Sequence, residues 1–598
     1  MPLSQPSAEL APLACAPCRR QKRRCDKALP SCSLCTRIGR SCDYSALTSN
    51  GEKEADGRTR DGTEGLVRIE DLEGLREQVR ALESLVKSRD VIVSETINRD
   101  VQMGGEGMAL NDDTYGPHTN GSNDTTLTPL TGSSSLQSSA HAWSPSARAH
   151  TASPFPSLFF LDSFMFTYER FTIAPPHITL PQSALQALGS SAQLREMIEH
   201  YFRTIHLHLP IVSHIRLYQH IANPLHEPGA DMALLFLAMK LVVLNVSEGL
   251  AARDAGLYGE VKALHAFVES QNGFSIQLLQ SALLIALYEI GHAIYPAAYL
   301  TVGHCARLGY AMGLHTRDAP EMLARSATWT EQEERRRVWW AIVIVDRFVN
   351  IGHSGKPFAT AEPDVNTHVP GNDAGWDKGQ MFVAAPLALS ASLTTVASPF
   401  ARTCQAGHLL GKVLKHLGDK SISLDYRFDE ALQLSRTLSA LEDALRNEAS
   451  KEDLAQYEQP PLCTALSITY SAMLTLFDAY SCTERAVPGA PETQLKMQQQ
   501  SIEGMFRVSD LAMQLARKLR DHLTSTDVAV CSPLVVDSLY QTAATYAWYM
   551  RESSDASTAS LLAEVKEILR LVNRRWRVAG EYLNFVEATE FQTAGAIR

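Results

Sequence analysis

Six cysteines fall between residues 15 and 42 with the spacing C-x2-C-x6-C-x6-C-x2-C-x6-C, inside the segment "ACAPCRRQKRRCDKALPSCSLCTRIGRSCDY" (14–44). One C-x2-C-x6-C unit is repeated: Cys15, Cys18 and Cys25, then Cys32, Cys35 and Cys42. A C-x2-C turn lets two thiolates converge on one ion, and a third cysteine can return to it after a short helix. Tetrahedral zinc takes four ligands, so two ions need eight bonds, and six sulfurs supply eight only if two of them bridge. A stretch of roughly thirty residues buries too little core to fold alone, so metal has to contribute the folding free energy, of order ~10 kcal/mol for structural zinc. Disulfides, or a mononuclear site with two spare cysteines, would use the same residues. Neither accounts for the repeat together with the basic run inside it.

That basic run sets the segment apart from the rest of the chain. Arg19, Arg20, Lys22, Arg23, Arg24, Lys27, Arg37 and Arg40 stand against Asp26 and Asp43, a balance of +6 in a 598-residue chain whose net charge is −11, so the remainder carries −17. The asymmetry describes a small basic module that meets a polyanion while the bulk stays soluble and repels it. No apolar stretch follows basic residues at the N-terminus, and the richest apolar run, "ALLFLAMKLVVLNV" from 233, is interrupted by Lys240. A bilayer span needs about 20 apolar residues, so neither a signal peptide nor a membrane helix is expected, and thiols should stay reduced in cytosol or nucleus. The other five cysteines, Cys305, Cys404, Cys463, Cys482 and Cys531, read as small buried hydrophobes.

The cysteine spacing, "CRRQKRRCD", Pro30 two residues before Cys32 and the closing "CDY" resemble the fungal Zn2Cys6 binuclear cluster transcription factors. The resemblance implies two Zn2+ ions per chain, bridged by Cys15 and Cys32, with Cys18 and Cys25 completing one ion and Cys35 and Cys42 the other. It also implies double-stranded DNA as partner, bound at paired CGG-like half-sites, and residence in the nucleus. The DNA-binding set is then Arg19, Arg20, Gln21, Lys22, Arg23, Arg24 and Lys27. Lysines near the end of the family's first helix touch base edges, which maps to Lys22, whose ammonium can donate to guanine O6 and N7. Gln21 stands where the family usually has a basic residue, which leaves the exact triplet open. The remaining basic side chains fit phosphate contacts, which position the module without specifying a sequence, and "RRQKRR" can also serve as a nuclear import signal.

Composition divides the rest. Residues 1–14 read as a disordered N-terminus, 15–44 as the zinc finger, and 45–65, rich in Gly, Ser and charge, as a linker. In 66–93, Leu72, Leu75, Val79, Leu82 and Val86 are spaced three, four, three, four, the a and d seam of a short coiled coil and so of a homodimer. Arg89 ends the seam, and Gly74 weakens it by about 1 kcal/mol. The same spacing would suit an amphipathic helix docked on its own large domain. A dimer would let half-site orientation and spacing add specificity that one finger lacks. Residues 94–154, dominated by Ser, Thr, Gly, Asn and Pro, read as a disordered tether.

From residue 155 the apolar residues recur with helical period and strand-like alternation is scarce, which predicts an all-α region. "YFRTIHLHLPIVS" (201–213), "LLQSALLIALYEIGHA" (278–293), "RLGYAMGLHT" (307–316) and "EERRRVWWAIVIVDRFVNIGHSGKP" (333–357) resemble, in order, the fungal-specific transcription factor domain, or middle homology region. We assign 155–375 to that domain and 376–598 to a C-terminal helical region. Its tail, "EYLNFVEATEF", has the acidic and aromatic style of an activation segment, and a last helix packed on the bundle explains it equally well. "GHSGK" (352–356) lacks the final glycine of a nucleophile elbow, and no HExxH or dinucleotide-binding glycine motif occurs, so no enzyme is expected. His206, His304 and His315 read as core histidines. In "RRRVWW", Trp339 and Trp340 should fill a helical core while Glu333, Glu334 and Asp346 balance the arginines.

The expected fold is thus mostly α: a small zinc finger, a short coiled coil, a disordered linker and a large all-α regulatory domain. The expected function is that of a sequence-specific transcription factor, an activator on family grounds, acting with the transcription machinery. A small-molecule effector suits the family, though no residue identifies its pocket. The helical region broadly resembles pathway-specific regulators of biosynthetic gene clusters. The alternative is a zinc-stabilised scaffold whose finger binds protein.

Overall fold

The computed structural model describes residues 15, 25–29, 31–37, 42, 158–168, 176–222, 229–246, 251–316, 322–323, 325–352, 355–380, 387–421, 423–451, 462–481, 492–525, 530–553 and 556–596. The chain divides into two compact units, Met1–Thr128 and Pro129–Arg598. In the first, the described residues form the cysteine cluster and one short helix, α1 (Ser33–Arg37). The seam residues Leu72, Leu75, Val79, Leu82 and Val86, both flanking linkers and the basic run Arg19–Arg24 lie outside the described residues.

The second unit is helical, and its β structure among the described residues is an isolated bridge between His368 and Ala388. Its longer helices are α2 (Ser191–Arg203), α3 (Ala230–Val243), α4 (Gly256–Ser270), α5 (Ile276–Gly291), α6 (Ala297–Ala311), α7 (Trp329–Phe348) and α8 (Pro399–Gly418). They continue as α9 (Leu424–Lys451), α10 (Cys463–Ser481), α11 (Glu492–Ser525), α12 (Val536–Ser553), α13 (Ala556–Asn573) and α14 (Val578–Ala596). Helix starts follow local chemistry. Ser190 and Gln193 make a capping box for α2, Ser275 accepts from the Leu278 N–H at α5, and Ser398 caps α8 with Pro399 at the first helical position.

Helices α3 and α5 are apolar on nearly every face and buried along almost their whole length, the signature of interior helices. Around them α3 packs on α5, α5 on α6, α6 on α7, α7 on α8, and α8 on α10, which leads on to α11. One hydrophobic core runs from Ala184 to Val586, so the C-terminal helices share the core of the preceding ones.

Helix α7 bears out the architectural reading of "RRRVWW". Arg337 is fully buried, its Nε donating to Glu333 Oε1 (3.1 Å), Nη1 lying 2.8 Å from Asp373 Oδ1, and its guanidinium 4.2 Å from the Trp376 ring centroid. Glu334 accepts from the Ser213 N–H (2.8 Å) and Gln280 Nε2 (3.0 Å) and pairs with Arg216. Trp340 Nε1 donates to the His368 carbonyl at 2.9 Å. At the far end Asp346 accepts from Arg347 Nη1 (2.7 Å), the Thr360 N–H (2.8 Å) and hydroxyl (2.7 Å), and the Ala359 N–H (3.1 Å). Each buried charge therefore meets an opposite charge and further hydrogen bonds, the condition under which burial is tolerated. Glu333, Arg337 and Asp346 thereby hold the loop 355–373 on the bundle, while Glu334 ties α7 to Ser213 and to α5.

The C-terminal third also ties back to the start of the unit. Arg575 Nη1 donates to the Leu244 carbonyl (3.1 Å), Nη2 donates to that of Val242, and Arg577 Nη2 donates to that of Val246 (3.2 Å). Two arginines thereby satisfy carbonyls at and beyond the C-terminus of α3, where the helix leaves acceptors unpaired and carries negative partial charge. Trp576 beside them lies against Gly291 of α5, where an added Cβ would fall 2.2 Å from Trp576 Cε3. Gly291→Ala is expected to destabilise the unit by about 1–3 kcal/mol, the usual cost of overpacking. Gly259→Ala, a helical position with nothing within 4 Å, should instead be neutral or gain roughly 0.5–1 kcal/mol. Urea unfolding of the two variants reads the contrast.

The three histidines fare differently. His206 is buried, its Nε2 3.0 Å from Asp377 Oδ1 and its ring stacked on Trp376. His315 packs edge-on against Tyr310 and beside Trp339. His304 is partly exposed and faces Glu269, so it is not a core residue. Cys305, Cys404, Cys463 and Cys531 are buried, and burial pushes each thiol pKa up, which matches small inert hydrophobes. Cys482 lies outside the described residues.

The acidic and aromatic tail forms α14. Leu583 and Val586 are buried, Tyr582 stacks on Tyr540 at 4.4 Å, and Glu587 pairs with Arg570 (2.9 Å) and Lys566 (3.5 Å). Among the described residues no helix is long and apolar enough to cross a membrane.

Candidate metal centre

Cys15, Cys32 and Cys35 are buried together, with Cys25 and Cys42 packed against them. Cys15 Sγ lies 3.7 Å from Cys32 Sγ, 3.8 Å from Cys35 Sγ and 3.9 Å from Cys25 Sγ. These separations are far beyond the ~2.05 Å of a disulfide. They equal the edge of a tetrahedron of thiolates around zinc, which for a Zn–S bond of ~2.3 Å is about 3.8 Å.

The sulfurs of Cys15, Cys32, Cys35 and Cys42 lie within 4.8 Å of one another, and Cys25, Asp26 and Cys32 make a second such group. Cys32 belongs to both. Cys15 touches Cys25 of one group and Cys35 of the other. The donor set, soft thiolates in a closed cluster, suits zinc, and the segment carries a cysteine motif able to chelate metal.

Local backbone chemistry builds this arrangement. The Asp26 carboxylate accepts from the Ser33 N–H (3.1 and 3.2 Å) and from its hydroxyl, so it caps α1; the Ser33 hydroxyl bond leads in holding its pKa below the ordinary value. The Cys35 and Cys32 backbone N–H groups point at the sulfurs of Cys32 (3.4 Å) and Cys42 (3.3 Å). Lys27 turns the chain in the left-handed region (φ 62°). Without a cation, the Cys35 N–H favours the Cys32 thiolate, but burial and the neighbouring thiols outweigh it and push the pKa up to about 12. Ionising several such thiols side by side therefore requires a cation, and metal binding must release protons.

Of the residues expected at this site, Cys15, Cys25, Cys32, Cys35 and Cys42 converge, and Lys27 sits half-buried at the turn beside them. Cys18 and the basic run Arg19, Arg20, Gln21, Lys22, Arg23 and Arg24 lie outside the described residues. Asp26 was missed as a functional residue. Its signal is a carboxylate followed at a distance of seven by a serine that opens a helix.

The chain thus carries a metal-chelating cysteine cluster in one unit and a large all-α unit in the other, and known proteins share this pair. Residues 13–50 match the fungal Zn(2)-Cys(6) binuclear cluster domain, and residues 198–442 match the fungal specific transcription factor domain. The transcription factor BOA15 of Botryotinia fuckeliana is 39% identical over 179 residues, 30% of this chain and 98% of that protein. The citrinin biosynthesis transcriptional activator ctnR of Monascus purpureus is 23% identical over 596 residues, 96% of this chain and 92% of its own length. The azaphilone cluster-specific transcription factor azaR of Aspergillus niger is 24% identical over 321 residues, 50% of this chain and 66% of that protein.

The chain belongs to the fungal Zn2Cys6 transcription factors. Its domain pair is that of nuclear transcription factors and contains no catalytic domain, and several relatives are regulators of secondary-metabolite gene clusters. Family identity implies DNA binding.

Proposed function

We propose that this protein is a pathway-specific activator of a secondary-metabolite gene cluster, binding paired CGG-like half-sites as a homodimer. Two zinc ions order its finger. Cys15 and Cys32 are shared, Cys18 and Cys25 complete one ion, and Cys35 and Cys42 complete the other. The observation that carries this reading is the membership of Cys32 in both ligand groups, Cys15–Cys32–Cys35–Cys42 and Cys25–Asp26–Cys32, with Cys15 in reach of both.

Six thiolates and two zinc ions sum to −2, so the finger presents about +4 to DNA. Arg19, Arg20, Arg23, Arg24 and Lys27 neutralise phosphates, Lys22 reads a base edge, and Gln21 tunes the triplet. The segment 66–93 pairs two chains through Leu72, Leu75, Val79, Leu82 and Val86, and 45–65 and 94–154 act as linker and tether. The helical regions 155–375 and 376–598 receive the regulatory input, a small-molecule effector included, and engage the transcription machinery.

Anisotropy titrations of the full chain with duplexes carrying two CGG triplets at varied spacing test this. Affinity should fall steeply with salt, log K dropping by about 0.9 per phosphate neutralised for each unit of log salt. It should vanish on chelation and return with zinc. A zinc-loaded chain that binds no duplex better than random DNA would favour the protein-binding scaffold instead.

A further inference from the structure

His265 and Glu269 are one helical turn apart on α4, so both side chains leave the same face. His304, from α6, meets them. The three ligand atoms lie within 4.8 Å of one another. His304 Nε2 is 2.7 Å from Glu269 Oε1, and His265 Nδ1 is 3.5 Å from Glu269 Oε2.

His304 Nε2 is buried against the Glu269 carboxylate, a contact that a ring proton bridges and that a cation can replace. His265 is 9% exposed, and its Nε2 is buried without a hydrogen bond. Lys262, the nearest cation on α4, is committed elsewhere: its Nζ lies 3.0 Å from Glu289 Oε1 and donates to Thr301 Oγ1 at 3.1 Å. Its charge is therefore offset, and Glu269 is left facing the two imidazoles.

We propose that His265, Glu269 and His304 bind a divalent transition-metal ion, separate from the cysteine cluster, that clamps α4 to α6. Two imidazoles and one carboxylate are a donor set for zinc and its neighbours in the first transition row. The partial exposure of Glu269 and His304 leaves room for water as the fourth ligand, as in open zinc sites. An ion bound there stabilises the folded helical unit by mass action, which makes the unit responsive to the metal supply.

The test uses the full chain with its cysteine cluster loaded and excess metal removed, titrated with zinc by calorimetry. One further equivalent should bind with micromolar affinity, and cobalt(II) in its place should give visible ligand-field bands without thiolate charge transfer. Glu269→Gln and His304→Ala should each lose that equivalent while keeping the cluster metal and, by circular dichroism, the helical fold. Glu269→Gln preserves side-chain shape, so it remains informative if His304→Ala fails to fold. Uptake of the extra equivalent by both variants as by the unaltered chain, or no extra uptake by the unaltered chain, overturns the proposal.

Discussion

Cys32→Ser is expected to remove both zinc ions from the full chain and to lower specific DNA affinity about a thousandfold, to the level of non-specific binding. Cys32 stands in both ligand groups and accepts a hydrogen bond from the Cys35 N–H. In the proposed two-ion cluster its loss therefore breaks both coordination spheres at once. Structural zinc contributes of order 10 kcal/mol to folding such a module, far more than a segment of this size can recover from its own packing. Cys42 appears in one group only, so Cys42→Ser should leave the other ion bound, more weakly. Native mass spectrometry counts the ions, and anisotropy with a paired CGG duplex reads the affinity. Equal stoichiometry in the two variants would contradict the shared role of Cys32.

The second large effect lies in the helical unit. Asp346→Ala should destabilise it by about 3–5 kcal/mol, the cost of leaving a buried charge without its partner. Asp346 is 2% exposed and Arg347 fully buried; removing the carboxylate takes the adjacent charge partner from that guanidinium, which keeps its bonds to Thr360 and Ala361, and leaves the Ala359 and Thr360 N–H groups without their acceptor. Asp443→Ala, which removes an exposed partner of Arg446 at 3.3 Å, should cost under about 1 kcal/mol. Thermal unfolding of the full chain compares them. A similar small loss in both would mean that water reaches Arg347 in the folded state.

The cysteine site is legible in the sequence because a metal imposes its demand locally. The residue type must be a thiolate, and the spacing must bring several of them together within one short segment. Helical class was legible for a related reason: "LLQSALLIALYEIGHA" is too long and too apolar to be a half-buried strand. Less legible was the fate of single polar residues. His206 and His304 both sit in apolar, helical stretches, yet one pairs with Asp377 in the core while the other emerges beside Glu269 and His265. Periodicity reports which face of a helix is buried, not which side chain waits across from it.

The six cysteines, their repeat and the basic run among them determined the metal-binding module and its polyanionic partner from sequence alone, since ligation chemistry and charge act over neighbouring residues. Tertiary structure was needed for everything that depends on distant segments meeting. Arg575 reaches the carbonyls of Val242 and Leu244 more than three hundred residues away, and Trp576 takes the space that Gly291 leaves open. His304 completes a three-ligand group with two residues of another helix. No local pattern encodes such meetings, because they arise from the packing of whole helices around a shared core.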